Sequence, residues 1–118
     1  MEKLRRYCLA LDLKDEPELI QEYKNYHEPG NVWPEIIQSI RNSGIEVMEI
    51  YLTANRLVMV IETNESFDFA RKATMDAQNP KVQEWETLMG KFQQVLPWAM
   101  DGVKWVLMER VFVLNQDT

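Results

Sequence analysis

Histidine occurs once in these 118 residues, at His27, four positions after Tyr23 in the run Glu22-Tyr23-Lys24-Asn25-Tyr26-His27. Imidazole is the one side chain whose ordinary pKa lies near neutrality, and a spacing of four sets phenol and imidazole on one face of a helix. The two form a candidate pair for general acid/base work. Such work needs a group that titrates near working pH and reaches a substrate oxygen directly or through water. The plainer alternative is that His27 ends a helix, where the dipole favours a cation, and does no chemistry. His27 alone does not decide between them.

Other chemistries find less support. Ordinary transition-metal sites draw on several His or Cys ligands, and this chain has one of each, so no metal site is expected. Four scattered glycines make neither a phosphate-cradling loop nor a dinucleotide fingerprint, and no nucleophile elbow appears. Thirteen basic residues against nineteen acidic ones leave a net charge of −6, which disfavours nucleic acid and anionic membranes as partners. The lone Cys8 cannot form an intrachain disulfide and reads as a small packed side chain. Glu49 and Glu109 each interrupt an apolar strand-like run, so each must face water or find a partner. Tyr51, Trp33, Trp85 and Trp105 fall at helix or strand spacing, where core packing is the default.

The elements that must position these residues follow from periodicity. A chain of this length, 46% hydrophobic, fits one domain over residues 1–118. Tyr7 to Leu13 alternates as a strand. Asp15, Pro17 and Glu18 read as an N-cap, a first-turn proline and a capping-box carboxylate, opening a helix that carries Leu19, Ile20, Tyr23, Tyr26 and His27 on one face. Pro29-Gly30 breaks it. Pro34 opens a second helix through Ile36, Ile37 and Ile40, with Gly44 free to take the left-handed conformation after its end. Ile45–Thr53 and Arg56–Thr63 flank a short Ala54-Asn55 connection and predict an antiparallel hairpin. Ser66 to Ala77 has a weaker helical pattern. Asn79-Pro80 opens a fourth helix that runs through Val82, Trp85, Leu88, Met89 and Phe92 and closes at Pro97. Val103 to Leu114 alternates as a last strand.

The order βααββααβ belongs to the ferredoxin-like branch of α+β folds, a sandwich of helices over one face of a mostly antiparallel sheet. Apolar residues on both sides of the first and last strands say that the uncovered face closes over a pocket or packs on a second copy, so a symmetric homodimer is expected. His27 and Tyr23 are expected to face that uncovered side together. No stretch is long and apolar enough for a membrane span, and a cytoplasmic location is the default expectation.

Taken together, Arg-Tyr-Cys-Leu-Ala-Leu-Asp-Leu from Arg6, Glu-Tyr-x-x-Tyr-His from Glu22, Asn-Val-Trp-Pro-Glu from Asn31, Met-Glu-Ile-Tyr from Met48 and Asn-Pro-Lys-Val-Gln-Glu-Trp from Asn79 resemble the L-rhamnose mutarotase family from about Arg6 to Phe112. The resemblance implies a dimeric α+β barrel that interconverts the α and β anomers of a deoxy sugar, foremost L-rhamnose, without a cofactor. It implies that His27 is the catalytic histidine, Tyr23 a sugar-binding and catalytic partner, and Trp33 and Trp85 walls of the pocket. Met48 stands where a pocket tyrosine is common and Glu86 where a second tryptophan is usual, so these two positions bear on sugar choice. Glu109 is a further polar candidate for the site. Competing occupants of the same architecture are an L-fucose mutarotase, a monooxygenase in which His27 ligates haem or deprotonates, and a non-catalytic sugar-binding module.

Overall fold

A computed structural model describes residues 3–115 as nine elements in the order β1 (Arg5–Leu13), α1 (Pro17–Tyr26), α2 (Pro34–Asn42), β2 (Ile45–Thr53), β3 (Arg56–Thr63), α3 (Phe69–Ala77), α4 (Pro80–Gly90), β4 (Gln93–Gln94) and β5 (Val106–Leu107). The sheet runs β2-β3-β1-β4, with β5 also on β1, and every pairing is antiparallel. The α+β architecture is the one expected, and the hairpin bounds coincide with those read from sequence.

Alternation in β1 sorts its side chains onto two faces. Leu9, Leu11 and Leu13 are buried beneath the helices, and Leu11 pairs across the sheet with Leu57 of β3. Around them Tyr23, Ile36, Val82, Trp85, Met89 and Phe92 close the main core, while Ile45, Ile61 and Phe67 build a second cluster with Leu9. The opposite face of the sheet carries Cys8, Ala10 and Asp12 of β1 beside Val58 and Val60 of β3 and Val47 and Tyr51 of β2. No helix covers this face, and Val47 and Tyr51 are exposed.

The helix ends show where local signals yield to tertiary ones. Glu16, not Asp15, is the N-cap of α1 and makes no side-chain cap bond; Pro17 at the first turn sets the start instead. The third helix starts at Phe69 rather than Ser66, because the Asn64 carboxamide folds back to accept from the Ser66 amide and hydroxyl. That turn drives Phe67 into the core, and Asp68 then caps the helix by accepting from the Ala70 and Arg71 amides at 2.7 and 3.1 Å. Asn79 and Pro80 open α4 as read. The helix stops at Gly90, well before Pro97, because Phe92 is buried and its carbonyl accepts from the Lys14 amide at 2.8 Å beside β1.

The largest departure lies at the C-terminal end. The expected strand from Val103 to Leu114 is reduced to Val106–Leu107, and β4 appears where none was expected. The outer edge of β1 is divided: β4 takes Asp12 and Leu13, β5 takes Leu9 and Ala10, and the Met108 amide makes one more bond to the Cys8 carbonyl at 2.8 Å. Beyond it the chain leaves the sheet, with Val111, Phe112 and Leu114 exposed at 92%, 70% and 80%.

Two positions with positive φ hold the tight connections. Ala54 adopts φ 51° in the two-residue hairpin, and its neighbour Asn55 ties the turn to β1, donating from its side chain to the Leu13 carbonyl and accepting from the Leu13 amide. Gly44 adopts φ 101° after α2, as expected for a C-terminal glycine, and a Cβ there would stand 2.6 Å from Asn64 Oδ1 and 2.7 Å from Ser66 Oγ. Strain and crowding act together at Gly44. Gly44→Ala is expected to cost about 1–3 kcal/mol, read as a shift of the urea midpoint without a change of slope. An unchanged midpoint would show that the Asn64–Ser66 turn yields freely.

Candidate functional site

The site forms where α1 ends. His27 is the C-cap residue, with φ −101° and ψ 3°, one position beyond the last helical residue. Its ring folds back over the final turn, so that Nδ1 lies 2.7 Å from the Tyr23 carbonyl. A carbonyl oxygen only accepts, so the bond requires the proton on Nδ1 and leaves the neutral imidazole with its lone pair on Nε2. The Tyr23 ring lies against the imidazole with centroids 4.2 Å apart and planes inclined by 29°. The spacing of four thus does what was expected of it, although His27 sits at the helix end rather than inside it.

Aromatic rings complete the surroundings. Trp85 of α4 meets the imidazole edge at 5.7 Å, Trp33 meets Trp85 at 5.1 Å, and Tyr26 stands perpendicular to Trp85 at 6.2 Å. Edge-to-face geometry of this kind suits the quadrupoles of the rings and fixes their mutual tilt. Four expected residues, Tyr23, His27, Trp33 and Trp85, therefore belong to one cluster. It lies on the helix-covered side of the sheet, not on the uncovered side, because α1 packs through Tyr23 onto Leu13, Leu57 and Phe92.

Three further candidates stand elsewhere. Met48 packs against the second core cluster. Glu86 is exposed beside Trp85, and its backbone carbonyl accepts from Lys104 Nζ at 3.3 Å. Glu109 is exposed in the segment beyond β5. Tyr26 and Phe92 were not singled out for the site, although both enter the ring cluster. Tyr26 was legible as a neighbour of Tyr23 and His27 on the helix face, whereas Phe92 is brought in only by the loop after α4.

His27 also borders an open surface cleft of about 610 Å³ between the end of α1 and the flank of α2. Its wall combines the apolar Val32 and Ile37 with the polar Glu28, Gln38 and Arg41. The connecting loop is pinned across itself: Asn31 donates from its amide to Glu28 and from its side chain to the Asn25 carbonyl at 2.7 Å. Sequence reading missed these cleft residues because nothing in the spacing of Glu28, Gln38 and Arg41 announces that α2 folds back toward His27.

Electrostatics separate the roles of the two lead residues. Burial lowers the pKa of His27, and the hydrogen bond to the Tyr23 carbonyl opposes this by favouring the imidazolium; burial wins. The imidazole is therefore neutral at pH 7 and available as a base. Burial raises the pKa of Tyr23 far above its usual value, so its phenol stays protonated and serves only as a donor or a neutral acceptor. Among the described residues no group of three or more His, Cys, Asp or Glu side chains gathers as a metal site.

Comparison with known proteins shows the family. The model of the L-rhamnose mutarotase family matches residues 6–114. The chain is 42% identical over 113 residues to an L-fucose mutarotase of Xanthomonas campestris, covering 96% of this chain and 90% of that protein. It is 38% identical to a UPF0734 protein of Dictyostelium discoideum, with 94% and 90% covered. The crystal structure of an L-rhamnose mutarotase from Formosa agariphila superposes with a TM-score of 0.67 at 25% identity, covering 93% of this chain and 98% of that one.

As the single histidine, His27 gives one unambiguous imidazole resonance. Its NMR titration midpoint is expected below 6.5, and a midpoint above that value would contradict burial as the dominant cause. Because the unfolded chain binds the proton more readily, the contribution of His27 to stability is present above pH 6.5 and falls as pH drops from there toward the folded-state pKa.

Proposed function

We propose, because this chain belongs to the L-rhamnose mutarotase family, that it interconverts the α and β anomers of a 6-deoxy-L-hexose, with His27 as the proton-transfer group. The observation that carries the reading is the imidazole held by Nδ1 to the Tyr23 carbonyl, with Nε2 free and the ring at a cleft wall. The chain is on this reading an isomerase acting on carbohydrates.

Ring opening requires removal of the proton on the anomeric hydroxyl and delivery of a proton to the ring oxygen as the bond from C1 to that oxygen breaks. The resulting aldehyde turns about its bond to C2. Closure on the other carbonyl face reverses both proton transfers and gives the opposite anomer. Neutral Nε2 of His27 takes the first proton and, as imidazolium, returns it to the ring oxygen as the bond from C1 breaks; the Tyr23 carbonyl holds the imidazolium meanwhile, its bond to Nδ1 strengthening as charge develops. The Tyr23 phenol, kept protonated by burial, donates a hydrogen bond toward the sugar, and its ring fixes the plane of the imidazole. Trp33 and Trp85 limit how far that ring can tilt. Met48, Glu86 and Glu109 have no step in this sequence.

The family name favours L-rhamnose as substrate, whereas the 42% identical Xanthomonas campestris protein favours L-fucose. Both are neutral deoxy sugars with one methyl group, suited to a cleft that mixes Val32 and Ile37 with amide, carboxylate and guanidinium groups. The active species is a homodimer on this reading. The uncovered sheet face with Val47 and Tyr51, and the exposed Val111, Phe112 and Leu114 beyond β5, supply apolar surface for a second copy.

Saturation-transfer NMR of each free sugar, with and without protein, tests the activity. Accelerated anomer exchange is expected, lost by roughly 10²-fold or more in His27→Ala while the fold is kept. Full activity in that variant would remove His27 from the mechanism. Tyr23→Phe preserves the stack and the carbonyl bond; a fall of roughly tenfold or more assigns the phenol a hydrogen bond to the reacting sugar, and an unchanged rate confines Tyr23 to positioning. Sedimentation at micromolar concentration is expected to give twice the chain mass, and Phe112→Asp to shift it toward the monomer. A wild-type monomer would end the dimer reading.

A further inference from the structure

The cleft beside His27 contains polar groups that the proton chemistry does not use. Gln38 and Arg41 lie three residues apart on α2, hence on neighbouring positions of one helical face, and both line the cleft that His27 lines. The Arg41 guanidinium has no hydrogen-bond or ion-pair partner among the described residues, although the chain carries nineteen acidic side chains. Gln38 donates one amide proton to the Asn42 side chain at 2.9 Å, which orients the carboxamide and leaves its oxygen without a protein partner. Glu28, next to His27, also brings an unpaired carboxylate to the same wall. All three are exposed, and they converge on a groove whose remaining lining beside His27 is Pro29, Gly30, Val32, Pro34 and Ile37.

We propose that Arg41 and Gln38 bind the vicinal hydroxyls of the sugar on the side remote from its anomeric carbon, and that Arg41 thereby sets which deoxy sugar is turned over. The inference rests on the mutarotase reading and deepens it. With the anomeric carbon at His27, the far edge of a pyranose points along the cleft toward α2. The guanidinium fork offers two parallel N–H donors, a geometry that matches two oxygens on adjacent carbons and that a lysine ammonium does not reproduce. The Gln38 oxygen accepts from one of the same hydroxyls. Val32 and Ile37 supply the apolar ground for the ring carbons and the C6 methyl group. L-rhamnose and L-fucose differ in the orientation of hydroxyls at C2 and C4, so a fork directed at the C3–C4 pair meets different geometry in each.

The competing account makes Arg41 a solvated cation in the last turn of α2, favourable to the dipole and indifferent to substrate. The two accounts separate in KM. Exchange rates measured by saturation transfer over a range of L-rhamnose and of L-fucose concentrations give kcat and KM for the wild type, Arg41→Ala, Arg41→Lys and Gln38→Ala. Arg41→Ala is expected to raise KM for the preferred sugar by roughly tenfold or more, with kcat within about twofold, and to narrow the preference between the sugars. Arg41→Lys is expected to restore little, and Gln38→Ala to raise KM less. Unchanged KM and preference in Arg41→Ala, with the wild type active, overturns the role of Arg41 and leaves the mutarotase reading intact. A wild-type protein that accelerates neither sugar overturns both.

Discussion

One hydrogen bond organises the site: Nδ1 of His27 to the Tyr23 carbonyl, 2.7 Å long. It can form only if α1 ends at Tyr26, since a helix continued through His27 would bind that carbonyl to the His27 amide and carry the imidazole outward. The bond fixes the tautomer, leaves the lone pair on Nε2 and stacks the ring on Tyr23. It also satisfies a carbonyl that the helix end would otherwise leave open. Orientation of the imidazole and capping of the helix are here the same contact.

The cost of such a site falls on the core. Tyr23 and Trp85 are both buried and both pack against Leu13, Leu57 and Phe92, so the walls that hold the imidazole are also the walls of the hydrophobic interior. Rigidity follows, because rings in a close-packed core cannot tilt without displacing neighbours. The desolvation that packs these rings is what lowers the His27 pKa and raises that of Tyr23. One act of burial thus produces a neutral base and a neutral donor at the same pH.

Much of this was legible in the sequence where the signal was local. The hairpin around Ala54-Asn55, the Asn79-Pro80 start of α4, the glycine after α2 and the pairing of Tyr23 with His27 depend on neighbours within a few residues. What failed depended on distant ones. Ser66 looked helical until Asn64 captured it, and Phe92 continued the helical period of α4 although its burial against β1 ends that helix earlier. Val103 to Leu114 alternates like a strand, yet alternation states only that two faces exist, not that an edge is free to receive them. The side of the sheet on which His27 lies was misread for the same reason. It is decided by the packing of Tyr23 on Leu13, Leu57 and Phe92, residues far from α1 in sequence.

β1 keeps two surfaces apart. Its odd-numbered leucines face the helices and support the stack under His27, whereas Cys8 and Ala10 face the opposite side, where Val58 and Val60 extend an apolar surface. A strand alternates its side chains with period two, so one chain segment supplies both surfaces without either constraining the residue types of the other. A substitution on the even positions reaches the site only by moving the backbone, and the long ladder to β3, from Arg5 with Thr63 to Asp12 with Arg56, resists that movement. The sheet therefore acts as a partition. Pressure on the uncovered face to pack against another surface can change its residues freely, while the face beneath the helices keeps the volume that holds Tyr23 and Trp85 in place.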